Sequence, residues 1–288
     1  MVMQLSDIRL DPVDSILTIN LSCWEDFETA IKDSFSLGNH PAPTSIGHFS
    51  PLLFRGQRNA EWGLRTTIER KHKLNATFKD YFKIIAPTLS IVESYTDKRF
   101  ELPDFDTYIT KLKETHSPFH VSKIPGYEFM VYLRHFGFPS PLLDWTESPY
   151  IAAYFAFADA SDEPDSRAAI YTYREYAGYG KVVASTDAHI YQQDQNTRKH
   201  KRHFLQQCSY TVCIRNDKGE WTYTPYDNAT KIHHSNQDLI HKYTIPTGER
   251  SKVLQTLNRY NINDFSLFES EESLMKTMAM RTFDFSST

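Results

Sequence analysis

The sequence predicts an α+β fold, a single compact domain over residues 1–288 with a central mixed or antiparallel sheet flanked by helices. Three observations carry this expectation. Strand-like and helical runs are interleaved without the regular alternation of a βαβ series. Neither G-x-G-x-x-G nor G-x-x-x-x-G-K-[ST] occurs, which argues against a doubly wound nucleotide fold. Of the 288 residues 40% are apolar and 14% aromatic, enough for a sizeable core dominated by ring burial.

The elements follow in order. Ile16 to Ser36 reads as a strand and then a helix, with Ser22 as N-cap and Trp24, Phe27, Ile31 and Phe35 on one face. Residues 37–47 are a loop by their Pro, Gly and Asn content. Pro51 to Gly56 is a short apolar strand ending on a glycine. Thr66 to Tyr95 is helical, broken near Pro87. Tyr127 to Phe136 is a buried helix, with Gly137 as the residue just past its C-cap. Residues 137–147 read as a short rigid loop, and Ser148-Pro149 opens a helix with proline at its favoured first position. Ala168 to Arg174, Ser209 to Arg215, Trp221 to Tyr226 and Ile240 to Pro246 are strands. Ser185 to Arg202 is polar and looped, and a helix runs from Glu249 to Tyr260.

Composition narrows the function. The net charge of −4 gives no global field toward nucleic acid, although a local patch is compatible with it. Cys23, Cys208 and Cys213 show no C-x-x-C spacing, against both a disulfide framework and a structural zinc site. His233-His234 and His241 lack metal-ligand spacing, so no metal is expected. No apolar signal region and no stretch near the roughly 20 residues of a spanning helix is present, so a cytoplasmic protein without membrane contact is expected.

Two segments concentrate chemistry. Phe54-Arg55-Gly56-Gln57 puts a guanidinium at the end of an apolar strand beside a glycine. Arg55 either recognises phosphate or carboxylate with its planar fork or caps the core against an internal carboxylate. His135 to Pro149 packs an imidazole, a carboxylate and hydroxyls between two helices. Asp144 and Thr146 either form a preorganised site or cap the following helix, and for Ser148 capping is the reading. The run Thr197 to His203 either tracks a nucleic-acid backbone or is a solvated basic loop. Cys208 reads as packing, and Glu269, Glu271 and Glu272 as a solvated helix start.

Phe54-Arg55-Gly56-Gln57, Trp62-Gly63-Leu64, Arg70, His135-x-Gly137-x-Pro139, Leu142-Leu143-Asp144-Trp145-Thr146 and Ala152-Ala153-Tyr154-Phe155-Ala156 together resemble the FRG domain family. The family's usual second block is close to QHYGLPTRLLDWT, from which this chain departs at Arg134, Ser140 and Pro141. The family arginine at the last of these, and any anion contact it makes, is missing here. Arg202-x-x-x-Gln206-Gln207-Cys208-Ser209-Tyr210 is similar to a later block, and the resemblance spans roughly residues 16–276.

The family's motif order is similar to that of ADP-ribosyltransferases, which implies a split sheet, NAD as cofactor, and a nucleic-acid or protein acceptor. Family members occur in bacterial and phage proteins, many linked to toxin or anti-phage defence functions. The resemblance implies that Arg55, with Gly56, Gln57 and His135, holds the cofactor, Arg55 taking its pyrophosphate. It also implies that Thr146 with Asp144 orders the nicotinamide side and that Gln206 supplies the later polar residue. The chemistry then requires a carboxylate near the ribose, from Asp144, Glu271 or Glu272. The alternative is a non-catalytic module that recognises a nucleotide or phosphate. A metal-dependent nuclease built on Asp144 and a histidine is weaker, because it needs further carboxylates.

Overall fold

The computed structural model describes residues 8–10, 16–39, 49–72, 76–114, 124–177, 181, 187–193, 201–230 and 237–285, and the statements that follow concern these. Residues 40–47, half of the polar stretch 185–202 (185–186 and 194–200) and His233-His234 lie outside them.

The strands are β1 (Ile8–Leu10), β2 (Leu17–Asn20), β3 (Leu53–Gln57), β4 (Leu143–Thr146), β5 (Arg167–Tyr176), β6 (His189–Gln192), β7 (Cys208–Asp217), β8 (Glu220–Tyr223) and β9 (Gln237–Pro246). They form one sheet in the order β1-β2-β9-β5-β3-β4-β7-β6, with β8 paired to β7. Only β2 and β9 run parallel among these pairs, so the sheet is mixed and largely antiparallel. The helices are α1 (Trp24–Asn39), α2 (Thr67–His72), α3 (Phe78–Ile85), α4 (Leu89–Thr96), α5 (Phe105–Glu114), α6 (Tyr127–His135), α7 (Pro149–Phe157), α8 (Lys201–Leu205), α9 (Tyr226–Thr230), α10 (Arg250–Arg259), α11 (Asp264–Phe268) and α12 (Glu271–Ala279). The α+β class with helices flanking a central mixed sheet is thus the observed architecture. No described helix is long and apolar enough to cross a membrane.

Local chemistry explains where the helices bordering the later site begin and end. The hydroxyl of Ser148 accepts from the amide of Ile151 at 3.3 Å, and Pro149 fills the first turn of α7. The end of α6 comes at Gly137, whose φ of 85° is cheap only for a residue without Cβ. Helix α1 starts at Trp24 rather than directly after Ser22, whose amide donates to Asp26 instead, and it continues through 37–39.

Three expectations are corrected. Residues 143–146 are strand β4, not part of a loop. Leu143 and Trp145 enter the core on one face, and the indole of Trp145 donates to Thr211 at 2.8 Å on β7. Residues 189–192 are strand β6, paired antiparallel with β7. The expected strand over 221–226 stops at Tyr223, and Tyr226 opens α9.

Burial divides into three clusters. Phe54, Ile170 and Tyr243 pack with α1, α7 and α10. Tyr210 and Val212 pack with α3 and α6. Leu53, Trp145, Tyr171 and Tyr173 pack with Tyr226 of α9. The halves of the sheet meet weakly, since β3 and β4 share a single residue pair, Phe54 opposite Thr146. The seam of the fold lies there.

At the other end of β5, Glu175 lies beside Lys181 and Asp238, with Lys181 Nζ 2.7 Å from Asp238 and 3.6 Å from Glu175. Desolvation pushes the Glu175 carboxyl up from 4.5 to about 7, against the opposing pull of Lys181. The unfolded chain therefore ionises first as pH rises. The contribution of this carboxyl to stability falls as pH rises from about 4.5 to 7 and is flat above. Glu175→Gln is expected to flatten that slope, read as thermal midpoints at pH 5 and pH 7.5. An unchanged slope would count against this account.

Candidate functional site

The seam between β3 and β4 opens into a cleft of about 350 Å³, bordered by α6, α7 and the end of α8. This is at the lower end of the range for small-molecule sites. Arg55, Gly56, Gln57, His135, Asp144, Thr146 and Gln206 all line it. The structure brings together residues as far apart in sequence as Arg55 and Gln206.

Strand geometry sets the first of these. Phe54 is buried against α7, so alternation turns Arg55 and Gln57 to the other side of β3. Arg55 Nη1 donates to the carbonyl of Asp144 at 2.6 Å, bridging the seam where the backbone ladder lapses. Its Nε is buried without a partner. Burial lowers the Arg55 pKa to about 10; Asp144 opposes this, and Arg134 and Arg70 add to it. Arg70 is lowered by its own desolvation first and by the charge of Arg134 second. Gly56 meets a packing need: a Cβ there would lie 1.9 Å from the carbonyl oxygen of Ala152 in α7.

Asp144 is not a helix cap. Its Oδ2 lies 2.5 Å from Arg134 Nη2, while its Oδ1 is buried and unpartnered. Arg134 thus places a cation in the cleft, whereas Pro141 is buried at a separate small cavity beside Thr66 and Glu69. Thr146 is buried, and its hydroxyl accepts from the amide of Ser148 at 3.1 Å, fixing the turn from β4 into α7. His135 Nε2 and the Tyr210 hydroxyl share a hydrogen bond of 2.6 Å, and burial raises the Tyr210 pKa so that the phenol stays protonated. The amide of Gln206 is engaged at both ends, by the Leu267 carbonyl at 3.1 Å and by the Cys208 thiol at 3.6 Å. Glu271 and Glu272 belong to the first turn of α12, which Ser270 caps, and neither lines the cleft.

Sequence reasoning missed most of the cations and rings. Arg58, Arg70, Arg134 and Arg202 join Arg55, so five arginines face one carboxylate among the described lining residues. Arg58 lies over the Trp62 ring at 5.2 Å, and Arg202 is stacked with Phe268 at 5.4 Å and Phe136 at 5.5 Å. Phe155 meets Phe268 edge-on. The available signal was the placement of Arg58, Trp62 and Arg70 just after the Phe-Arg-Gly strand, within the quoted motifs. Residues 197–200 of the basic run lie outside the described residues, and Lys201 pairs with Glu269. Among the described residues, no group of three His, Cys, Asp or Glu side chains is placed to hold a metal ion.

A mixed sheet divided at a seam, with an arginine-lined cleft in the division, makes this an α+β domain with a cationic cleft at its centre. The family model of the FRG domain matches residues 50–165, and this stretch is similar to that family. The match covers less than half of the chain. It includes every cleft residue from Arg55 to Phe155 and ends before Arg202, Gln206 and Phe268. No curated protein and no solved structure matches the chain significantly.

Proposed function

We propose that the cleft binds a nucleotide through its phosphates, with NAD as the candidate ligand. One observation carries the reading: five arginines surround a single carboxylate that one of them already holds. Such a cluster repels itself, and an anion with several oxygens relieves the repulsion through forked, charge-assisted hydrogen bonds. The rings of Trp62, Phe155 and Phe268 line the same cleft and supply apolar faces for a base.

Arg70 offers the cleanest test. It is exposed, and its guanidinium has no ion pair among the described residues, so its removal leaves the fold intact. Calorimetric titration is expected to show NAD and ADP-ribose binding to the wild type and at least tenfold weaker binding to Arg70→Ala. The melting temperature should stay within about 2 °C. Absence of heat with either ligand at millimolar concentration sinks the reading.

A second reading, ADP-ribosyl transfer, is favoured by the unpartnered Oδ1 of Asp144 in this cleft. In that reaction the bond from the ribose to nicotinamide breaks, nicotinamide leaves with the electron pair, and an acceptor on nucleic acid or protein bonds to the anomeric carbon. A carboxylate oxygen beside that carbon offsets the developing positive charge. A toxin or anti-phage role would rest on this activity. Release of nicotinamide from NAD, lost in Asp144→Ala, is the expected result. An NAD pool unchanged across nucleic-acid and protein acceptors leaves the binding function alone.

A further inference from the structure

Four buried side-chain atoms lining the cleft have no hydrogen-bond partner, and they are of two kinds. Arg55 Nε and Arg134 Nε are donors, while Asp144 Oδ1 and Gln57 Oε1 are acceptors. The rest of each side chain is fixed. Arg55 Nη1 is on the Asp144 carbonyl, Arg134 Nη2 is on Asp144 Oδ2, and Gln57 Nε2 donates to the Gly63 carbonyl at 3.3 Å. These second bonds set the orientation of the orphan atoms, so they are held ready and not free to turn toward water.

A ligand offering only anionic oxygens satisfies the two donors and leaves both acceptors stranded. Worse, it brings a negative charge against Asp144 Oδ1. Leaving a buried polar group unpaired costs more than an ordinary hydrogen bond gains. The complementary ligand therefore carries hydroxyl groups beside its phosphate. A ribose with both hydroxyls presents two donors on adjacent carbons, joined through C4′ and C5′ to the 5′-phosphate.

We propose that Asp144 and Gln57 are specificity residues that accept hydrogen bonds from the vicinal diol of a ribose, so that the cleft selects ribonucleotides over nucleotides lacking those hydroxyls. This rests on the nucleotide reading and deepens it. A site built to bond a hydroxyl discriminates strongly against the analogue that lacks it, because its own buried groups are then left unpaired.

The test is a calorimetric titration of the full chain with ADP, 2′,3′-dideoxy-ADP and inorganic pyrophosphate. ADP is expected to bind at least about tenfold more tightly than the dideoxy analogue. Asp144→Asn, which keeps an acceptor but removes its charge, should narrow that ratio. The ligand comparison on the wild type stands even if the variant fails to fold. Equal affinity for the two nucleotides overturns the inference while the nucleotide reading survives. If none of the three binds, this inference falls, and the nucleotide reading falls with it only if NAD and ADP-ribose also give no heat.

Discussion

Gly56→Ala is expected to unfold the chain well below the wild-type melting temperature, although alanine is the smallest change available. The added Cβ would sit 1.9 Å from the Ala152 carbonyl oxygen and 2.6 Å from the Ala156 amide nitrogen. Both are backbone atoms of α7, so no side chain can swing aside and the helix itself must move. That helix presents Ala152, Ala153, Ala156 and Phe157 at full burial, so the shift opens the core on a broad front. Overpacking of this kind costs about 3 kcal/mol or more, which for a domain of this size lowers the midpoint by roughly 6–12 °C. Gly63→Ala is the control, because nothing lies within 4 Å of its Cβ position. A Gly56→Ala midpoint within about 2 °C of wild type would show that α7 does not press on β3 as described.

The contact between β3 and α7 also marks the limit of what the sequence discloses. Glycine at position 56 reads from sequence as freedom for a ligand to approach, yet the close neighbour is a helix from the same chain. Helices α6 and α7 are legible at their ends because Gly137, Ser148 and Pro149 act within one turn of themselves. Strand β4 is not, because four residues Leu-Asp-Trp-Thr carry too short an alternation. Its partners, Ser209 and Thr211 among them, come more than sixty positions later. The same distance hides the site's charge. Arg55 and Asp144 stand out in their motifs, whereas the meeting of Arg58, Arg70, Arg134 and Arg202 depends on four different elements converging on the seam. Asp144 as cap or as site residue could not be decided from sequence. Its place in β4, with Arg134 on one oxygen, excludes the cap.

Arg55→Met is expected to weaken nucleotide binding by about a hundredfold, roughly 3 kcal/mol, the upper end for a hydrogen bond to a charged group. Folding should change little, because two opposing effects accompany the change. The bond to the Asp144 carbonyl across the seam is lost, but so is the repulsion between Arg55 and the neighbouring Arg134 and Arg70. Arg55→Lys keeps the charge and loses the fork. A lysine can hold the Asp144 carbonyl or a phosphate oxygen, not both in the same geometry, so only part of the affinity should return. The pH dependence separates charge from shape. With its pKa lowered to about 10 by burial, Arg55 is protonated at neutral pH, and wild-type affinity should be flat there. A bound anion stabilises the guanidinium and raises that pKa, so binding takes up a proton once pH passes about 10, and affinity falls by up to tenfold per unit. Titration in Arg55→Met should lack that alkaline limb. If the variant retained both wild-type affinity and the fall above pH 10, the anion would be held elsewhere in the cleft and Arg55 would serve only to join the two halves of the sheet.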